Sequence, residues 1–180
     1  MSYDQEGQRR YVTLSDDVAK LLEKEAEESG ISPDKLLEYI ITRAATFDIP
    51  LSKIDMIESP LPEFFSILEC LSEQDIKEIA RNEAERNFDG ILSLLSWNNN
   101  DFGSVIERFY ERFSKYSGWF TFRYTVTGRK ELRLSFQHTY GIKWSAFLSE
   151  YNRVVLDRFC KSSLQARDDE VIFDVILNQD

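Results

Sequence analysis

The side chains best suited to chemistry are few in this sequence, and they are far apart. His138 is its single histidine, and Cys70 and Cys160 are its two cysteines. Transition-metal sites require about three or four converging nitrogen or sulfur ligands, so these residues predict no metal site. The acidic run at residues 168–170 could suggest a cation site, but consecutive acids in a loop are more typical of a solvated turn.

The motifs of enzyme chemistry are also missing from the sequence. It has no GxSxG, no phosphate-binding glycine loop, no CxxC pair and no zincin helix, and nothing in it favours a nucleophile–base pair. The sequence therefore predicts no catalytic residue, no metal and no cofactor, and we expect the protein not to be an enzyme.

Aromatic side chains, 13% of the sequence, are concentrated after residue 96. His138 has the parity of Leu134 and Phe136 on a predicted strand, so its side chain is expected on their face. A pocket for an apolar or planar ligand could be lined by His138, Trp119 and Trp144. The simpler interpretation, which we favour, is a core of large side chains with His138 hydrogen-bonded in it or at its rim.

The N-terminal part carries the clearest pattern of secondary structure, a short strand followed by two helices. In the strand, residues 9–14, Val12 and Leu14 fall on one face. The other face carries Arg9, Tyr11 and Thr13. We expect Val12 and Leu14 to be buried, because the opposite register would place them in water.

Capping residues mark the ends of the two helices. Ser15 is placed as the N-cap of the first helix, with acidic residues in its first turn. Gly30 has the position of a C′ residue, where a left-handed backbone ends a helix. Ser32 and Pro33 then begin the second helix as its N-cap and first helical residue. Apolar residues at helical spacing form one stripe on each helix.

A single strand without a hairpin partner cannot satisfy its own backbone hydrogen bonds. The economical solution is a second copy of the chain, with the two strands paired antiparallel about a two-fold axis above the four helices. In its alternating RRYVTLS strand, its Ser15 cap and its SGISPDKL turn, this segment resembles the ribbon–helix–helix DNA-binding family of the Arc and MetJ type. The resemblance covers roughly the first quarter of the chain.

In that family the paired strands enter the DNA major groove, and their outward side chains contact bases. The resemblance therefore implies base contacts by Arg9, Tyr11 and Thr13. It also implies phosphate contacts by Arg10 and by the N-terminus of the second helix, at Ser32 and Lys35. Two alternatives stay open: Tyr11 as a packing residue between the copies, and both arginines as solvated charges on a mobile tail.

The charge of the chain, −10 overall, opposes DNA binding, because duplex affinity depends on positive charge delivered to phosphates. Residues 1–47 hold six basic against ten acidic side chains, a net charge of −4. The distribution is more favourable, since Arg9 and Arg10 lie in a stretch without acids from Gly7 to Ser15, and a dimer doubles this patch. We therefore expect modest non-specific affinity with steep salt dependence.

The remainder of the chain predicts an α+β domain. Prolines cluster in residues 48–62, which we interpret as a linker after a DNA-binding and dimerisation domain at residues 1–47. Residues 63–180 then read as helices followed by a β-β-α-β arrangement, a domain for effector sensing or assembly. Its last strand, residues 171–177, is apolar on both faces and is expected inside the sheet.

These patterns favour a homodimeric transcriptional regulator that binds double-stranded DNA and responds to an unknown effector. The alternative is a dimeric interaction or scaffold module that does not bind DNA, which the acidic composition favours. A toxin-neutralising protein is a weaker third interpretation. No apolar run is long enough to span a membrane and the N-terminus has no apolar signal segment, so we expect a cytoplasmic protein.

Overall fold

The computed structural model of the chain describes residues 11–54, 61–95 and 101–178. It is a mixed α+β structure, as expected, and it divides into two compact units, of which the first ends at Ala44 and the second begins at Ala45. The start of the predicted linker belongs to the second unit, because Pro50 and Leu51 are buried there. Most of its remaining part, residues 55–60, lies outside the described residues.

Unit 1, residues 11–44, is built from two helices, α1 (Asp16–Glu28) and α2 (Pro33–Arg43). The turn between them is a Schellman motif: the Gly30 N–H donates to Glu27 O at 3.1 Å and the Ile31 N–H donates to Ala26 O at 3.0 Å. Gly30 has φ +67°, so the predicted left-handed helix stop is confirmed. Residues 11–15 precede α1 without forming a helix or strand in this single chain.

Unit 2 begins with helices that are mostly short. A π-helical turn occupies Ala44–Asp48, and a second π-helical segment, named here π2, occupies Val105–Tyr110. The α-helices before the sheet are α3 (Ile49–Leu51), α4 (Leu61–Glu69), α5 (Glu73–Arg86), α6 (Phe88–Leu95), α7 (Phe102–Ser104) and α8 (Glu111–Tyr116). The sequence predicts Ser72 as the N-cap of α5 with Asp75 at the capping-box position, and the two residues form this capping box.

The sheet of unit 2 has four strands within the described residues, all antiparallel, in the order β1-β2-β4-β3. They are β1 (Thr121–Val126), β2 (Glu131–Gln137), β3 (Cys160–Ala166) and β4 (Glu170–Leu177). The predicted hairpin is β1–β2, and the predicted last strand is β4, which lies between two neighbours as its apolar pattern indicated. The long helix α9 (Gly141–Leu156) connects β2 to β3.

The core of unit 2 lies between one face of the sheet and the helices. Leu134, Phe136 and Phe173 are fully buried on that face. Tyr110, from π2, packs its ring against Phe136, with centroids 4.9 Å apart. The aromatic residues of the second half of the chain therefore build a core, which is the interpretation that the sequence favoured.

Three details of unit 2 differ from the sequence-based expectation. The predicted β-β-α-β arrangement is wrong in its strand count, because β3 intervenes between α9 and β4. The sequence predicts one helix that Asp101 caps and that runs to about Ser117, but this segment is divided into α7, π2 and α8. Residues 91–97 are compatible in sequence with a short helix or a strand, and residues 91–95 are helical, within α6.

None of the helices in the described part of the chain is long and apolar enough to cross a membrane.

Candidate nucleic-acid interface

The predicted base-contacting residues lie at the N-terminal end of unit 1. Arg9, and with it the predicted phosphate contact Arg10, is outside the described residues. Tyr11 is 97% exposed and Thr13 is also exposed, whereas Leu14 is half-buried. Val12, which was expected on a buried face, is 60% exposed in the single chain. Tyr11, Val12 and Thr13 therefore have available side-chain surface in the single chain.

The N-terminus of α2 is built as the sequence predicts. Ser32 has extended backbone angles, and its Oγ accepts a hydrogen bond of 3.3 Å from the Lys35 N–H. Pro33 follows at the first helical position, where its missing N–H costs nothing. Since the Lys35 N–H is already paired, the groups left at this end for a phosphate are the exposed Lys35 ammonium and the positive end of the helix. The Asp34 carboxylate in the same turn opposes an anion.

Both helices of unit 1 expose their apolar side chains. Ala26 is the buried residue among those described in this unit. The large apolar side chains that are exposed on α1, on α2 and in the turn are Val18, Leu21, Ile31, Tyr39, Ile40 and Ile41. Soluble single chains do not usually leave the apolar stripes of two adjoining helices in water. Unit 1 therefore exposes an apolar surface of the kind that a protein normally buries in its core.

Acidic side chains surround this apolar surface on α1. The helix starts with Asp16 and Asp17, where the helix dipole favours negative charge, and it has no basic residue in its last turn. Glu28 is paired with Lys24 at 3.6 Å in an exposed salt bridge of small energetic value. Residues 11–44 hold eight acidic side chains against four basic ones, so the described part of unit 1 is net acidic.

Comparison with known proteins gave no match to any family model, any curated protein or any solved structure.

The three candidate ligand-binding residues are neighbours in unit 2, and two of them are tied into its packing. The Trp144 indole N–H donates to Trp119 O at 2.9 Å, and the two rings meet edge to face with centroids 5.6 Å apart. Trp144 also stacks on Phe147 at 4.8 Å. This geometry supports the core interpretation of the tryptophans over a ligand pocket.

His138 is buried and uses both ring nitrogens. Its Nδ1 accepts a hydrogen bond of 3.2 Å from the Tyr140 N–H, so Nε2 carries the proton and donates to Ser145 Oγ at 2.9 Å. Ser145 Oγ in turn donates to Arg167 O. Burial lowers the pKa of His138, and the Asp169 carboxylate opposes this shift in part. Since the imidazole donates to Ser145 and does not accept from it, the pair is not arranged as a base and its nucleophile.

Other potential sites in unit 2 are structural. Arg112 donates to Thr46 O and Leu95 O, both at 2.9 Å, and so joins two helical segments. Burial is the largest cause of its lowered pKa. No group of three or more histidine, cysteine or acidic residues that could hold a metal ion occurs within residues 11–54, 61–95 and 101–178. No sequence pattern indicates the role of Arg112, because both of its partners are backbone carbonyls.

Proposed function

We propose that the protein is a cytoplasmic, homodimeric transcriptional regulator, not an enzyme, and that its unit 1 binds double-stranded DNA as a ribbon–helix–helix domain. The observation that carries the proposal is the exposed apolar surface of α1 and α2, in a helix pair whose turn and caps match the sequence motif. A second copy of unit 1 is the occupant that fits this surface. It would bury both sets of stripes and pair residues 9–14 with the same residues of the first copy.

In this arrangement Arg9, Tyr11 and Thr13 point into the major groove, and Arg10, Ser32 and Lys35 contact phosphates. Arginine pairs bidentately with guanine O6 and N7, so Arg9 carries most of the sequence discrimination. Unit 2 senses an effector or mediates further assembly.

The test is selection of bound sequences from a random duplex pool by the full chain, followed by affinity measurements on the selected duplex. We expect affinity to fall steeply as salt rises, because binding releases counterions from the DNA. Arg9→Ala should remove the preference for the selected over a scrambled duplex, at a cost of about 1–3 kcal/mol per lost base contact. Arg129→Ala changes an exposed arginine near the β1–β2 turn and is the matched control, which should keep full preference.

A second candidate function, a dimeric scaffold that does not bind DNA, is favoured by the acidic surface of α1. It predicts no enriched sequence and no linear dependence of log affinity on log salt. Full sequence preference in the Arg9→Ala variant would show that the assigned reading face is wrong.

A further inference from the structure

The two edges of the sheet in unit 2 are not equally protected. At the β1 edge the Phe122 N–H points outward and donates to Ser114 Oγ at 2.8 Å, because α8 lies beside this end of the strand. At the other edge, β3 is a seven-residue strand that pairs with β4 alone among the described strands. An uncovered edge strand is a template for pairing with another chain.

The register shows which backbone groups of β3 are available. Phe159 O accepts from the Asn178 N–H, and the Arg167 N–H donates to Glu170 O, so odd-numbered residues face β4. The N–H and C=O groups of Ser162 and Leu164 therefore point away from the sheet. The strand contains one charged residue, Lys161, at its start, so the middle of this edge is uncharged.

The inner face of the sheet is partly exposed at this edge, at Leu164. Tyr124, Leu134, Phe173 and Leu164 align in one row across the four strands. The two central residues are fully buried, whereas Leu164 at the β3 edge is 42% exposed. An additional strand beyond β3 would extend this row and cover Leu164.

Helix α9 packs against β3 and β4 and is already tied into its own unit. Glu150 pairs with Arg81 of α5, Tyr151 stacks on Phe109 of π2 and Ser145 hydrogen-bonds to Arg167 beside the sheet. The surface available at this edge is therefore the backbone of β3 together with Leu164.

We propose that a second copy of this chain pairs its β3 with β3 antiparallel, about a two-fold axis through Ser163, and joins the two sheets into one. Ser162 then pairs with Leu164 of the second copy. This register overlaps the strands along their whole length, because Ser163 is the middle residue of Cys160–Ala166. It is independent of DNA binding and of the dimer proposed for unit 1.

Charge favours the register with the two-fold axis at Ser163 over the register with the axis at Leu164. With the axis at Ser163, Lys161 lies opposite Gln165 of the second copy, which is neutral. With the axis at Leu164, Lys161 would face Arg167 of the second copy, and like charges directly opposite are destabilising. A register shifted by one residue would place the two Leu164 side chains on opposite faces of the sheet, away from the shared apolar row.

Disulfide formation tests the proposal in the full chain. In a Cys70→Ser background, which removes the exposed native thiol, Ser163→Cys should form a covalent dimer under mild oxidation. Residues at a non-hydrogen-bonded pair have Cα atoms about 4.5 Å apart, within the range of a disulfide. Thr125→Cys, an outward residue on the opposite edge strand β1, is the matched control and should stay monomeric on a denaturing gel.

A second pair of variants separates a specific interface from random collision. Adding Leu164→Lys to the Ser163→Cys protein should reduce the covalent dimer at least tenfold, because it places a charge on the joined inner face. Tyr124→Lys makes the same change in the same row at the other edge, where Tyr124 is 46% exposed, and should leave the yield unchanged. A folded Ser163→Cys protein that does not cross-link, or a Gln165→Cys protein that cross-links in its place, overturns the proposed axis.

Discussion

His138 makes the stability of unit 2 depend on pH through a single side chain. Its folded-state pKa is lowered by burial from the ordinary value of 6.5, so the unfolded chain binds the proton more readily. Stability is therefore complete above about pH 6.5 and is lost as the pH falls below that value. Protonation of Nδ1 also removes the acceptor of the Tyr140 N–H, which weakens the link between β2 and α9.

The matched variant is His138→Gln, which keeps a hydrogen-bonding side chain and cannot titrate. We expect the natural protein to have the higher free energy of unfolding at neutral pH. The difference from the variant should shrink by at most about 1.4 kcal/mol for each pH unit below neutrality. Urea unfolding followed by tryptophan fluorescence at about pH 7.5 and about pH 5.5 measures this difference. An advantage that stays constant between the two conditions would show that His138 does not carry the pH dependence.

At the scale of elements, the α1–α2 turn depends on the conformation of one residue. Gly30 has φ +67° and its Cβ position is empty space, so a side chain there is disfavoured by the backbone alone. Gly30→Ala should destabilise unit 1 by about 1–2 kcal/mol. Gly90→Ala, in α6 with an ordinary φ and equally open space, should be neutral or stabilising by up to about 1 kcal/mol. Far-UV circular dichroism during thermal unfolding distinguishes them, and equal effects would contradict the assigned turn.

Elements with local signals could be predicted from the sequence. Gly30, Ser32 and Ser72 occupy the capping positions that their types indicated, because caps depend on neighbouring residues alone. Strand β3 could not be predicted, since CKSSLQA has few residues of high strand propensity and owes its conformation to pairing with β4. The π2 segment was also missed, because its apolar spacing is compatible with an ordinary helix.

In the candidate site, too, some features follow from local sequence and others depend on distant partners. Ser32 and its hydrogen bond to the Lys35 N–H follow from local sequence, and the structure has them as expected. The predicted strand at residues 9–14 and the expected burial of Val12 are different, because both depend on pairing with a second molecule and have no local sequence signal within one chain.

For the whole molecule, the contrast between the two units has a thermodynamic consequence. Unit 2 has its own core, whereas the described part of unit 1 buries Ala26 and exposes its large apolar residues. If a second copy completes unit 1, its folding is coupled to association and its melting temperature depends on protein concentration. The two described tryptophans, Trp119 and Trp144, belong to unit 2 and report on it separately.

We therefore expect dilution to lower the temperature at which helical circular dichroism is first lost, while tryptophan emission changes at a higher temperature. The Leu164→Lys background removes the β3 contact, so that the remaining concentration dependence belongs to unit 1. A single transition, seen equally by both signals and unaffected by dilution, would mean that unit 1 is folded without a second copy.

Substitutions of two exposed helix residues, one in each unit, test whether two copies of the chain associate through α1. Leu21 is 57% exposed on α1 and Ile67 is 64% exposed on α4, so both changes to glutamate would be nearly neutral in an isolated chain. Burial of Leu21 against a second copy predicts that Leu21→Glu lowers the stability of unit 1 by about 2 kcal/mol or more and abolishes its concentration dependence. Ile67→Glu should change stability by no more than about 0.5 kcal/mol. If Leu21→Glu changes stability as little as Ile67→Glu does, the apolar stripe of α1 is not the dimer interface. The proposed pairing of the N-terminal strands, which depends on that interface, would then be wrong as well.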